Sequence, residues 1–233
     1  MLFHTVIHKI ALSTLILIFE VESSPGTLNT DYQHNTQIVI LNGGLSGRMK
    51  TSKAFLLDQN GISFIESILN VYKDAGLRNF TIISNSIDYI KINQLVSTMS
   101  NIYATILRND FPEKGRIFSL KMGLANCSNS DFIFIQNIDN PSIDRKLISN
   151  LYKNKKVDKV VIPVFNHKKG HPILLGKKVI DAFLNQTIDD FNFRDFIFRT
   201  PIVEVESINE SILLNINTKE DYQHYINQNL KNG

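Results

Sequence analysis

From residue 37 to about residue 228, short runs of β-branched residues alternate with stretches in which apolar side chains recur every three or four positions. A strand covered on both faces needs an unbroken apolar run, whereas a helix lying on a sheet needs only one apolar stripe. The alternation therefore predicts an α/β domain around a mainly parallel sheet. The predicted strands are Gln37–Leu41, Asn79–Ser84, Ala104–Leu107, Asp131–Gln136, Lys159–Val164, Ile202–Glu206 and Ile212–Ile216. The predicted helices are Ile62–Ala75, Tyr89–Met99, Ile117–Asn126, Arg145–Tyr152, Lys177–Asn185 and Lys219–Gln228. In the first of these, Phe64, Ile65, Ile68, Leu69 and Tyr72 fall on one face, and Gly76 supplies the stop. No internal repeat is present.

The stretch from Val6 to Phe19 is the most apolar in the chain, with His4, His8 and Lys9 near its start and a polar segment, Ser23 to Thr36, after it. Its core, Ile10 to Phe19, suits the apolar region of a signal peptide and is short of the roughly 20 residues a membrane span needs. Residues 1–35 are expected to be an extension and linker, and residues 36–233 one domain. Three readings of the extension stay open: a signal, a membrane-surface segment, or a start codon placed too far upstream.

Composition narrows the class. With 43% hydrophobic and 20% charged residues, the chain has the balance of a globular domain and not of a disordered, collagen-like or multi-pass membrane protein. Lys and Arg number 25 against 22 Asp and Glu, and a net charge of +3 suits anionic ligands without arguing for a nucleic-acid partner. The single cysteine, Cys127, excludes an intrachain disulfide and has no metal-ligand partner at a zinc spacing.

Candidate chemistry begins where the first strand ends. Leu41-Asn42-Gly43-Gly44-Leu45-Ser46-Gly47-Arg48-Met49, followed by Lys50 and Lys53, places three glycines, a serine and several cations at a strand's carboxyl end. Glycines let backbone amides approach a polyphosphate, while Arg and Lys make charge-assisted contacts to its oxygens. Ligands of open α/β sheets bind at that end. The spacing is neither that of a Walker loop nor that of the dinucleotide fingerprint.

These residues resemble the L-x-x-G-x-S-x-R-M-G…K signature of the small nucleotidyltransferases typified by molybdenum cofactor cytidylyltransferase and the related guanylyltransferase. Asn109, Gly115, Ser119 and Gly123 are similar to the family's N…G…S…G segment, and Ile138-Asp139-Asn140-Pro141 to its D-x-P element. Lys169-Gly170-His171-Pro172-Ile173 resembles its G-H-P element, and Asn192-Phe193-Arg194 its later arginine element. The segment from Leu214 to Tyr222 resembles its D-I-D-T-P-E-D terminus. Each motif alone is weak; their collinearity from about residue 37 to about residue 225 is specific.

The resemblance implies a Rossmann-like sheet of the nucleotide-diphospho-sugar transferase (GT-A-like) type. It also implies a magnesium-dependent transfer of a nucleoside monophosphate, CTP being the favoured donor, onto a phosphate-bearing acceptor of the molybdopterin type, with release of pyrophosphate. Arg48, Lys53 and Asp139 are the implied catalytic residues, and Leu41, Asn42, Gly43, Gly44, Ser46, Gly47, Asn109 and Ser119 join Arg48 and Lys53 around the nucleotide. Gly170, His171, Pro172 and Arg194 fall on the acceptor side, and Asp139 with Asn217 would hold Mg2+; related sugar-phosphate uridylyltransferases use asparagine at the latter position. Molybdenum cofactor biosynthesis further implies a contact with a molybdoenzyme or its chaperone. Use of intracellular nucleotides implies a cytoplasmic location, the apolar leader being the open point.

Departures from the family pattern bear on this. Asn42 stands where alanine is usual. Gly43 stands where the cytidylyl branch tends to have alanine and the guanylyl branch glycine. Lys50 replaces a glycine, Gln136-Asn137 stand where Gly or Pro is commoner, and Asn215 and Asn217 replace two aspartates. Two alternatives stay open: a sugar phosphate or other alcohol phosphate as acceptor, and a degenerate member that binds nucleotide or cofactor without turnover.

Overall fold

The structure, a computed structural model, describes residues 36–44, 49, 51–187 and 192–229. The apolar extension, Ser46, Gly47 and Arg48 lie outside the described residues.

The strands are β1 (Thr36–Asn42), β2 (Asn79–Asn85), β3 (Tyr103–Asn109), β4 (Phe132–Asn137), β5 (Val160–Phe165), β6 (Lys168–Lys169), β7 (Ile173–Gly176) and β8 (Ile202–Glu206). The helices are α1 (Phe64–Asp74), α2 (Tyr89–Thr98), α3 (Gly115–Asn126), α4 (Arg145–Lys153), α5 (Lys177–Leu184), α6 (Phe193–Arg199) and α7 (Lys219–Asn229). The strands form a single sheet in the order β3-β2-β1-β4-β7-β5-β6, with β8 also paired to β5. Strands β3, β2, β1 and β4 run parallel, as does the β5–β8 pair, while β7 is antiparallel to both β4 and β5.

Alternation along β1 distributes its side chains to two apolar layers. Ile38 and Ile40 pack among the buried residues of α1 and α4, and Val39 and Leu41 pack with Leu120 and Leu124 of α3 and Val179, Ile180 and Phe183 of α5. Coverage on both faces accounts for the continuous apolar character of β1, β2 and β4. Helix α1 buries Phe64, Ile65, Ile68, Leu69 and Tyr72, the face its periodicity predicts, and Gly76 follows with φ +86°.

Two features correct the sequence reading. The expected strand Ile212–Ile216 is instead a short 3-10 helix, Glu210–Leu213, followed by irregular chain. Ile212 and Ile216 are buried as an alternating pattern requires. Their backbone serves other partners: the Ile212 carbonyl accepts from the His171 N–H and the Ile216 N–H donates to the Asp139 carbonyl. Strands β6 and β7 and helix α6 were not predicted; the first two are four residues or shorter.

The chain moves outward from β1 to β2 and β3, then returns to place β4 on the other side of β1. That reversal leaves a crevice at the carboxyl ends of β1 and β4, the place where open α/β sheets receive ligands. Among the described residues no helix is long and apolar enough to cross a membrane.

Candidate active site

A cleft of about 260 Å³ opens at this crevice, lined from β1 by Leu41 to Gly44, from β4 by Asn137 to Asp139, and from α3 by Gly115, Arg116 and Ser119, with Lys53 at its side. Its glycine wall is set by contact. A Cβ on Gly43 would lie 2.5 Å from Ser119 Oγ and 3.3 Å from Asn109 Nδ2, so only glycine lets β1 approach α3 this closely. Asn109 Nδ2 donates to Ser119 Oγ at 3.0 Å, and both side chains are buried, giving the cleft a polar floor beside Gly43.

Lys53 joins the glycine wall to the chain's distant end. Its Nζ donates to Asn217 Oδ1 at 2.7 Å and lies 3.5 Å from Asp139 Oδ2. Three residues expected at the site, far apart in sequence, therefore meet around one ammonium group. Asn217 is placed by a reciprocal cap on α7. The Asp221 carboxylate accepts from the N–H groups of Asn217 and Thr218 at 2.9 and 2.8 Å, and the Asp221 N–H donates to Thr218 Oγ1 at 3.1 Å. Those backbone donors hold the Asp221 carboxyl below its ordinary pKa.

The turn carrying Asp139 is built from amides. Gln136 Nε2 donates to the Asn140 carbonyl at 2.8 Å and Gln136 Oε1 accepts from the buried Tyr72 hydroxyl at 3.2 Å. Asn137 Nδ2 donates to Asn140 Oδ1 at 3.0 Å, and Asn140 Nδ2 reaches the Leu214 carbonyl and Asn215 Oδ1. The departures at Gln136, Asn137 and Asn215 thus form one network. It fastens the Asp139 turn to the segment leading into Asn217, a role for Asn215 that its position in the family pattern did not reveal.

Arg116 is the site residue that the sequence reading missed. It lines the cleft, its Nη2 donates to Asn137 Oδ1 at 2.8 Å, and burial lowers its pKa against the opposing pull of Asp139. It brings a second cation to the cleft, from α3. The signal available was its position, directly after Gly115 and three residues before Ser119.

On the acceptor side the structure separates the expected residues. Gly170 is buried where a Cβ would sit 2.5 Å from the Ile212 carbonyl, and the His171 N–H donates to that same carbonyl at 3.0 Å. Among the described residues, the buried His171 Nδ1 has no hydrogen-bond partner. Enclosure, aided by the nearby Arg116 charge, pushes the imidazole pKa down to about 4, so it is neutral near pH 7. Arg194 is exposed on α6 and is not among the cleft-lining residues; its guanidinium lies 5.4 Å from the Phe198 ring, which Lys169 Nζ also approaches at 5.1 Å.

The His171 environment gives a linkage prediction. The folded-state pKa lies below the ordinary 6.5, so the unfolded chain takes up the proton first as pH falls. This group's contribution to stability is complete above about pH 6.5 and is lost on descending to about pH 4. Chemical denaturation across that range should show His171→Gln losing less stability on acidification than wild type; parallel curves would refute the assignment.

The oxygen donors suit a hard divalent cation. Magnesium beside a phosphate takes only one or two protein ligands, and a carboxylate and an amide oxygen that already share one ammonium ion are such a pair. Among the described residues no group of three or more His, Cys, Asp and Glu side chains is arranged to hold a metal by itself.

This cleft lies at the switch point of a mixed, mostly parallel sheet flanked by helices. The chain belongs to the family described as the MobA-like NTP transferase domain, whose profile matches residues 38–201. Similar solved structures include molybdopterin-guanine dinucleotide biosynthesis protein A from Archaeoglobus fulgidus, at 16% identity and a TM-score of 0.60, covering 84% of this chain and 99% of that one. The 4-diphosphocytidyl-2C-methyl-D-erythritol synthase of Anaerococcus prevotii aligns at 15% identity and a TM-score of 0.65, covering 84% and 98%. Rv0371c of Mycobacterium tuberculosis in complex with manganese aligns at 15% identity and a TM-score of 0.65, covering 83% and 98%. No curated protein matches the chain.

Proposed function

We propose that the chain transfers a nucleoside monophosphate from a nucleoside triphosphate to the phosphate of an acceptor of the molybdopterin type. An acceptor phosphate oxygen attacks the α-phosphorus, the bond from that phosphorus to the β-phosphate oxygen breaks, and pyrophosphate departs with the electron pair. The observation that carries this reading is the convergence of Lys53, Asp139 and Asn217 at the edge of a glycine-lined cleft.

In this reading the backbone of residues 42–44 lies along the phosphates, the Asn109–Ser119 pair faces the base, and Lys53 and Arg116 neutralise charge that grows on the leaving group. Ser46, Gly47 and Arg48, outside the described residues, are assigned to the same phosphates by their resemblance to the family signature. Asp139 and Asn217 would hold Mg2+, which when bound withdraws charge from the phosphates. A phosphate monoester has a second pKa of about 6, so the attacking oxygen is ionised at neutral pH and no protein base is needed. The neutral His171 offers Nδ1 to the acceptor beside Gly170 and Pro172, with Arg194 farther out as an anion contact.

The G-H-P and N-x-R elements favour CTP. A specific observation favours GTP: the residue that packs against Ser119 is glycine, the guanylyl-branch residue at position 43. Pyrophosphate release measured with CTP, GTP and UTP, each with Mg2+ and with molybdopterin, a sugar phosphate or no acceptor, tests the proposal. Release that depends on molybdopterin is expected, with CTP or GTP ahead of UTP. Release with the sugar phosphate alone moves the acceptor class, and nucleotide binding without release in every combination contradicts transfer.

A further inference from the structure

Where β1 and β2 end side by side lies a buried carboxylate that the transfer chemistry leaves unused. Asp88, 2% exposed, stands at the start of α2, yet its side chain caps none of that helix's N–H groups. Its Oδ2 instead accepts from Asn42 Nδ2 at 3.0 Å and from Asn85 Nδ2 at 2.9 Å. The Asp88 N–H donates to Asn85 Oδ1 at 2.9 Å, which settles the orientation of that amide. Asn85 Nδ2 also lies 3.2 Å from the carbonyls of both Asn42 and Gly44, so its two hydrogens serve three acceptors. Among the described residues no Lys, Arg or His lies within ion-pair distance of Asp88. A buried carboxyl depends on such amide donors, so it and the two asparagines hold one another in place.

The consequence is geometric. The Leu41 carbonyl accepts from Ile138 on the β4 side, whereas the Asn42 carbonyl is drawn to Asn85 on the β2 side. Carbonyl and N–H of a trans peptide point in opposite directions, so the Gly43 N–H is turned toward β4, the side on which the cleft and Asp139 lie. The contact from Asn85 to the Gly44 carbonyl holds a second carbonyl of the glycine-rich wall on the β2 side.

We infer that Asp88 and Asn85 are positioning residues for the glycine-rich wall, holding the Asn42–Gly44 peptides in the orientation that receives a triphosphate. The inference rests on the nucleotidyl-transfer reading. Because these contacts are the same before and during the reaction, their loss weakens binding of ground state and transition state alike.

Asp88→Asn keeps the side-chain shape while removing the charge. For whichever of CTP or GTP supports turnover, with Mg2+, KM is expected to rise about tenfold with kcat within about twofold of wild type, the pattern of lost uniform binding. Asn42→Ala should raise KM similarly, and the double variant should be no worse than the poorer single, because both act through one chain of hydrogen bonds. If Asp88→Asn does not fold, Asn85→Ser carries the same expectation. An unchanged KM, a loss confined to kcat, or additive effects overturn the inference. Lys53→Met and the wild-type protein separate the two levels: if Lys53→Met abolishes turnover while Asp88→Asn keeps a wild-type KM, only the positioning role fails, whereas wild-type protein that binds nucleotide and releases no pyrophosphate with any acceptor fails the transfer reading itself.

Discussion

Lys53→Met is expected to lower kcat for pyrophosphate release by about 10²–10³-fold, the scale seen when one preorganised charge-stabilising donor is removed. The side chain is 13% exposed and its ammonium is shared between Asn217 and Asp139, so in the free protein it is already aimed where the phosphates would lie. Methionine keeps most of the stem's apolar volume and removes the charge. The cost to stability should stay near 1 kcal/mol, because Asp139 is partly solvated and Asn217 remains tied through its backbone to Asp221. Steady-state kinetics beside a denaturation curve distinguish the outcomes. A large loss of activity in a stable variant supports the assignment, whereas retained activity removes Lys53 from the chemistry.

A loss of similar size is expected for Asp139→Asn, through a different dependence. Asparagine preserves the shape of the turn, whose Asp139 carbonyl still accepts from Ile216 and whose neighbours Asn137 and Asn140 still bond each other. What disappears is the negative charge facing Lys53 and the proposed metal position. kcat at saturating nucleotide should fall about 10²–10³-fold, and the magnesium concentration for half-maximal rate should rise, since the remaining donors are both neutral amides. Titrating activity with Mg2+ and with Mn2+ checks this. A variant with reduced rate but unaltered metal dependence would place Asp139 in a structural role.

The main elements of the fold were legible because periodicity reports burial. Strand β1 is apolar at every position from Ile38 to Leu41 because helices cover both its faces, and α1 shows a single stripe because one face of it meets the sheet. The same logic misreads Ile212–Ile216, where alternating burial occurs without a neighbouring strand. Periodicity cannot say what the backbone bonds to. Lys53, Asp139 and Asn217 were legible through their resemblance to family motifs, and the structure brings them within one hydrogen-bonding group. Arg116 and Asp88 were not, since each acquires its meaning from a partner on a strand outside its own helix: Asn137 for Arg116, Asn42 for Asp88. A charged residue's sequence neighbours carry no record of such partners. Asn215, an apparent loss of a carboxylate by pattern, proves to be one member of an amide network whose other members lie on the Asp139 turn.

The most direct measurement is a crystal structure of the protein with manganese and a non-hydrolysable nucleoside triphosphate, with the metal located by its anomalous scattering. The account predicts a manganese peak within coordination distance of an Asp139 carboxylate oxygen and Asn217 Oδ1, with the triphosphate along residues 42–44 and Lys53 Nζ against its oxygens. Nucleotide bound at another face, or manganese held by neither Asp139 nor Asn217, would contradict it.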